Sequence, residues 1–237
     1  MKIAILSDIH GNNHALEAML EHANKLNVEN FFILGDLIGY YLQPEKVVKT
    51  IMSLPGVVIQ GNHERIIAKV IKNELEIEEV NRKYGEGHLI TLQTLKEEEI
   101  NWLINLEKEK DIFVDGISIK LCHGAPGSAD EYLYPDSSQQ KLLQYCNEDY
   151  DYIFTGHTHY PFFFTSNNCA IINVGSVGQS KDIGGIASWG LLDTTNKTYI
   201  PYKTPYKVDK LISEIKESGN SNADYLVSVL KRNRIDL

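Results

Sequence analysis

The sequence predicts an α/β fold in which two β-sheets pack face to face with helices outside. Three observations lead there: a strand–loop–helix rhythm up to Asn62, a charged helical stretch from about Glu64 to Lys110, and a run of short strand patterns beyond it.

The first strand, Ile3 to Leu6, feeds the loop Asp8-Ile9-His10-Gly11-Asn12. The helix after it carries Leu16, Met19, Leu20, Ala23 and Leu26 on one face. Phe31 to Leu34 feeds Gly35-Asp36, and Pro44 suits the first turn of a second helix, where its missing N–H costs nothing. Val57 to Ile59 feeds Gly61-Asn62-His63-Glu64. These strands deliver polar loops at their carboxyl ends, the edge where open α/β sheets place ligands. The segment 64–110 reads as a helical layer covering the sheet, or as a partial lid. Within it Thr94-Leu95-Lys96-Glu97 offers a capping box for a helix with Ile100, Leu103 and Ile104.

Beyond it, Ile112 to Val114, Ile117 to Cys122, Tyr152 to Thr155, Phe162 to Thr165, Ala170 to Asn173, Trp189 to Leu192 and Thr198 to Tyr202 read as strands. Turns such as Asp115-Gly116 and Ser166-Asn167-Asn168 join several of them, implying a second, largely antiparallel sheet. Two amphipathic helices follow within 207–232. One domain spanning 1–237 is expected, since α/β folds of this length often form one unit.

A composition of 43% hydrophobic and 23% charged residues is ordinary for a soluble protein. No apolar run approaches the ~20 residues of a membrane span, and the amino terminus reads as a strand, not a leader; a cytoplasmic protein is expected. Cys122, Cys146 and Cys169 form no Cys-x-x-Cys pair and are expected as reduced, mostly buried thiols. A net charge of -9 argues against a nucleic-acid polymer as partner, because that affinity comes largely from Lys and Arg. An anionic substrate would need a local source of positive charge, which bound metal could supply.

Of eight histidines, His10, His63, His123, His157 and His159 sit in loops directly after expected strands, whereas His14, His22 and His88 lie in helical stretches. A lone histidine at a strand end is commonly a structural hydrogen-bonder. Five of them beside Asp8, Asp36 and Asn62 are not explained by packing, since buried carboxylates and imidazoles without partners are costly. Imidazole and oxygen ligands without thiolate suit Mn, Fe, Zn or Co in a hydrolytic site.

At these residues the sequence resembles the calcineurin-like metallophosphoesterase superfamily in five motif blocks: Asp8-Ile9-His10, Gly35-Asp36, Gly61-Asn62-His63-Glu64, His123-Gly124 and Gly156-His157-Thr158-His159. Asn173-Val174-Gly175-Ser176-Val177-Gly178-Gln179 looks like the closing loop of its bacterial phosphodiesterase-like branch. The resemblance implies a four-layer αββα sandwich of two mixed β-sheets flanked by helices. It assigns Asp8, His10 and His159 to one metal and Asn62, His123 and His157 to the other, with Asp36 bridging. A carboxylate can hold cations roughly 3.5–4 Å apart, and the side chains of His-x-His diverge, in keeping with that division.

The implied cofactors are two divalent transition-metal ions per chain, Mn favoured, with Fe, Zn, Co or Ni possible. The implied function is phosphodiesterase or phosphatase action on small organic phosphates or nucleotides by metal-activated hydroxide. Metal coordination can bring a water pKa from 15.7 to ~7. His63, outside both ligand sets, is the candidate acid for the leaving group, with an orienting role as its alternative. Asn62 and His63 are also candidate substrate contacts.

Protein Ser/Thr phosphatases of the related type carry an Asp-Arg pair after the second block, where this chain has Leu37-Ile38-Gly39-Tyr40. The phosphate-gripping arginine is absent there, leaving Arg65 as a possible substitute. Tyr40, Tyr41, Tyr132 and Tyr134 are either stacking surfaces for a base or core and rim aromatics. The superfamily also contains catalytically silent scaffolds, the retromer-type subunits; the complete ligand set plus His63 argues for an enzyme.

Overall fold

A computed structural model describes residues 1–146, 149–166 and 169–233. The expected turn residues Asn167 and Asn168 lie outside these. The chain opens with β1 (Lys2–Leu6), α1 (Asn13–Lys25), β2 (Asn30–Ile33), α2 (Pro44–Ser53) and β3 (Gly56–Val58). The side chain of Asn12 accepts the Ala15 N–H at 3.1 Å, satisfying one of the free donors at the start of α1. Pro44 opens α2 as expected. Both β1–β2 and β2–β3 are parallel, with Ile3 opposite Asn30 and Phe31 opposite Gly56.

Four short helices follow: α3 (Asn62–Ile71), α4 (Ile77–Tyr84), α5 (Gly87–Thr94) and α6 (Glu97–Ile104). The helical cover thus ends at Ile104, and Glu109 already belongs to β4 (Glu109–Val114). The cap of α6 also differs from expectation. Glu99, not Glu97, turns back to accept the Lys96 N–H at 2.8 Å, so Lys96 occupies the capping position expected for Thr94. Thr94 instead ends α5 and donates its hydroxyl to the Ile90 carbonyl.

The second sheet holds β4, β5 (Ile117–Cys122), β6 (Tyr152–Thr155), β8 (Cys169–Asn173) and β7 (Phe162–Ser166), in that spatial order. It is mixed, not largely antiparallel: β5, β6 and β8 run parallel, and only the edge strands β4 and β7 pair antiparallel. The expectation also erred over β9 (Ile186–Asp193) and β10 (Thr198–Pro205). Both join the first sheet, in the order β10-β9-β1-β2-β3, with Lys2 opposite Asp193. Alternating hydrophobicity marks a strand but not its partner, and β1 had a free edge to be filled.

The sheets face each other through Ile3, Ile5, Phe32 and Leu34 on one side and Ile117, Ile119, Leu121, Phe154 and Ile172 on the other. The outer face of the first sheet is covered by α1, α2, α3 and α6 through residues such as Leu16, Val47, Ile67 and Leu103. The outer face of the second carries the short α7 (Gln139–Leu143) and loop residues including Leu133. At the carboxyl side, α8 (Asp209–Glu217) and α9 (Ala223–Leu230) enclose Tyr41, which is fully buried and so a core aromatic. Cys146 and Cys169 form a disulfide with Cα atoms 5.6 Å apart, and only Cys122 is the buried free thiol expected of all three. Their separation of 23 residues gives no local motif, so the pairing comes only with the fold. Among the described residues no helix is long and apolar enough to cross a membrane.

The packing makes a prediction on adjacent strands. Ile119→Ala, in the interface between the sheets, should destabilise by about 2–5 kcal/mol in urea unfolding, as cavity-forming core truncations do. Phe113→Ala, on β4 and 75% exposed, should cost less than ~1 kcal/mol. Equal losses would contradict the assignment of β5 to the buried interface.

Candidate metal centre

Both halves of the fold send loops to one place. From the first sheet come Asp8 and His10 after β1, Asp36 after β2, and Asn62 and His63 opening α3. From the second come His123 after β5 and His157 and His159 after β6. Tight backbone positions hold them there. Asp8, His10, Asp36, Tyr40, His157 and His159 all have positive φ, between 54° and 66°. Such strain in non-glycine residues clusters where a site requires it. Gly61 allows the close approach of β3's loop: a Cβ there would lie 2.2 Å from Asp36 Oδ1.

The ligand atoms of Asp8, His10, Asp36 and His159 lie within 4.8 Å of one another; those of Asp36, His123 and His157 form a second such group sharing Asp36. Asn62 Oδ1 lies 3.1 Å from His123 Nε2. Asp8, His10 and His159 thus fall in one group and His123 and His157 in the other, with Asp36 in both. Each carboxylate uses one oxygen to accept a backbone N–H, from His157 to Asp8 Oδ2 at 3.0 Å and from His63 to Asp36 Oδ1 at 2.8 Å. The other oxygens face the imidazoles. Asp8 Oδ1 is 3.2 Å from His159 Nε2, and Asp36 Oδ2 is 3.2 Å from His123 Nε2.

Three histidines have their protonation set from behind. His10 Nδ1 donates to the Ile38 carbonyl at 3.1 Å, His123 Nδ1 to Leu34 at 2.6 Å, and His159 Nδ1 to Gln179 at 2.7 Å. A carbonyl only accepts, so each of these rings turns Nε2 into the site, the orientation typical of metal-binding histidine. Burial and the neighbouring His159 push His10 down to about 3, and burial and His123 push His157 down to about 4, so both are neutral. Burial works against the charged form of His123, but the Asp36 carboxylate outweighs it and raises the ring to about 9. Burial likewise opposes the charge on Asp36, yet His123 and His63 hold it well below the usual carboxylate range.

The donor set fits metal. His10 Nε2 and His159 Nε2 lie 3.0 Å apart, both turned into the site. Asp8 Oδ1 and His157 Nε2 are buried without a hydrogen-bond partner. Metal held by the two groups would satisfy these atoms. With imidazoles and carboxylates and no thiolate, the donors suit a divalent metal ion.

The pocket above the cluster, about 480 Å³, is lined by Asp36, Tyr40, Asn62, His63, His157 and His159 and also by residues that sequence reasoning missed. Tyr84 comes from α4, Tyr225 from α9, Lys181 from the loop before β9, and Arg232 from beyond α9. Of the expected aromatics, Tyr40, Tyr132 and Tyr134 line this space, and Tyr132 stacks on His157 at 4.0 Å. Arg65 borders the neighbouring cavity but is ion-paired with Asp130, so a carboxylate already occupies its guanidinium.

Two further groups were not singled out. Glu64 is fully buried and accepts three backbone N–H bonds, from Asp36, Leu37 and Gly61, pinning the β2 loop to the start of α3. Burial and the charge of Asp36 raise it to about 7, against the N–H groups of Asp36 and Gly61. His88, set aside with the helical histidines, contacts His63. The other two, His14 and His22, bond to Glu214 and Thr204. The loop 173–179 closes the site from beneath: Ser176 Oγ donates to the Asp8 carbonyl at 2.7 Å and Asn173 Nδ2 to Gly156 at 2.6 Å.

The chain is 28% identical over 235 residues to the uncharacterized protein MJ0912 of Methanocaldococcus jannaschii, covering 90% of this chain and 91% of that one. A metallophosphoesterase from Sphaerobacter thermophilus superposes with a TM-score of 0.80 at 24% identity, covering 97% of this chain and 98% of the other. Hypothetical protein PH1004 from Pyrococcus horikoshii OT3 gives 0.85 at 20% identity, with 98% of each chain covered. These two structures share the arrangement of two mixed sheets flanked by helices. Residues 1–197, which include every loop that builds the cluster, match the calcineurin-like phosphoesterase superfamily domain, and the chain belongs to that superfamily.

Proposed function

We propose that this protein hydrolyses phosphoester bonds of small phosphorylated molecules, as a phosphodiesterase or phosphatase, with two divalent ions of which manganese is favoured. The observation that carries this reading is the convergence of His10 Nε2 and His159 Nε2, 3.0 Å apart, beside the unpartnered Asp8 Oδ1. Asp8, His10 and His159 would hold one ion, Asn62, His123 and His157 the other, and Asp36 both. The bound ions supply positive charge for a phosphate on an acidic protein and make hydroxide available from water near neutral pH.

The remaining chemistry falls to the chain. His63 Nε2 faces the cluster, 4.0 Å from Asp36 Oδ2, and its backbone is fixed by the N–H donated to Asp36. A proton on that nitrogen is directed toward an oxygen leaving the phosphorus above Asp36. Tyr84, Tyr132 and Tyr225 give an aromatic group a surface to stack on. Lys181 and Arg232, on the rim of the same pocket, offer cationic donors to a second anionic group of the substrate. This favours aromatic substrates with more than one phosphate, such as nucleotides.

Two predictions follow from these roles. Asp36→Asn should lower bound metal from two ions per chain to below one, read by elemental analysis of the folded variant; an unchanged stoichiometry would remove its bridging role. Lys181→Ala and Arg232→Ala should each raise KM about 10-fold or more for a nucleotide carrying a second phosphate, since each loses a charged hydrogen bond. KM for a nitrophenyl monoester should stay near wild type, and equal shifts for both substrates would contradict the subsite.

A further inference from the structure

Resting on the phosphoesterase reading of the metal centre, we infer that the smaller cavity beside it is a second substrate subsite, in which Arg65 and Lys69 bind an anionic group on the other arm of a phosphodiester. That cavity holds about 220 Å³. Four of its lining residues, Asn62, His157, Tyr84 and Tyr132, also line the larger pocket of about 480 Å³. The two spaces therefore adjoin at Asn62 and His157, beside the second group of ligand atoms, with the two tyrosines bordering both. A phosphate centred there has room for a substituent in each direction. A monoester carries one organic arm and leaves the second space empty, whereas a diester fills both.

Helix geometry lays out the wall of this cavity. Along α3, Asn62, Arg65, Ile66 and Lys69 follow the spacing i, i+3, i+4 and i+7 and so form one stripe, all of it facing the cavity. Ile67 turns the other way, into the core on the outer face of the first sheet. The stripe begins at the metal cluster with Asn62 and reaches Lys69 about 10 Å further along the axis, at ~1.5 Å of rise per residue. The charge at its far end suits a group one short linker beyond the phosphorus. Ile66, Tyr84 and Tyr132 give that linker apolar walls.

The charges along this wall do not balance. Arg65 donates through Nη2 to Asp130 and, at 3.4 Å, to the Ala129 carbonyl, so the loop after β5 holds its guanidinium in place. Its Nη1 is buried with no hydrogen-bond partner. An unsatisfied charged donor is costly, and an anionic oxygen would recover that cost. Lys69 is exposed, and no carboxylate among the described residues is in ion-pair range of it. Asp130 thus offsets one of the two cations and the other remains. On a chain of net charge -9, such a local surplus selects an anion. Each cavity then has two cations of its own, Lys181 and Arg232 in the larger and Arg65 and Lys69 in the smaller. Hydrolysis of the diester places the hydroxyl of water on phosphorus and its proton on the departing ester oxygen, giving a monoester and an alcohol.

The experiment uses full-length protein loaded with manganese and two diesters of adenylate, one with a propyl second arm and one with a sulfopropyl second arm. The adenylate takes the larger pocket, and the sulfonate is an anion with no ester of its own to cleave. Expected in the wild type is a KM about 10-fold lower for the sulfopropyl ester, the scale of one charged hydrogen bond. In Lys69→Ala the two KM values should become nearly equal, and in Lys69→Arg the preference should be kept. Lys69 is exposed, so neither substitution disturbs the packing of α3. Equal KM values for the two esters in the wild type, or a preference that survives in Lys69→Ala, overturns the inference; both esters are still cleaved, and the phosphoesterase reading stands. Hydrolysis of adenylate itself but of neither diester likewise overturns the inference alone. Wild-type protein that cleaves none of the three overturns both.

Discussion

Holding Asp8 and Asp36 buried near each other, with no lysine or arginine in ion-pair range of either among the described residues, is the constraint on which the rest of the structure depends. Among the described residues, the groups within ion-pair range of the two carboxylates are imidazoles of His10, His63, His123 and His159. An uncompensated pair of buried charges is costly, so the surrounding backbone is committed to it. Two amide N–H groups, from His157 and His63, each take one carboxylate oxygen. Glu64 adds a third buried carboxylate that touches no ligand atom but ties Asp36, Leu37 and Gly61 together through their N–H groups. The positive φ angles at Asp8, His10, Asp36, His157 and His159 belong to the same commitment, because each turns a side chain inward from a strand end.

The two-sheet architecture follows from this requirement. A single parallel sheet would offer one row of strand ends; here β1, β2 and β3 supply Asp8, His10, Asp36, Asn62 and His63, while β5 and β6 supply His123, His157 and His159 from across the interface. The apolar seam of Ile3, Ile5, Ile119, Phe154 and Ile172 is what brings the two rows together. On a chain of net charge -9, cationic character at the site comes locally, from Lys181 and Arg232 at the rim and from any metal its His and Asp clusters bind.

Much of this was legible in the sequence, because both the strands and the polar residues at their ends are local patterns. Strand positions from β5 to β10 were read within a few residues, and the five loop histidines do converge. What escaped notice depends on distant partners. The pairing of β9 with β1 and the union of Cys146 with Cys169 both join segments whose local sequence is silent about them. The same holds at the site: His88, Tyr84, Lys181 and Arg232 lie in helices or loops with no motif, and only the fold brings them to the pocket. Glu64 was quoted within a motif, yet its task became visible only through its three backbone donors.

The central claim is that the two buried clusters are a pair of metal sites sharing Asp36. An anomalous difference map from crystals grown with manganese tests it most directly. Two separate peaks are expected, one among Asp8, His10 and His159 and one among Asn62, His123 and His157, with Asp36 in contact with both. A single peak, or manganese bound only outside these residues, would contradict it.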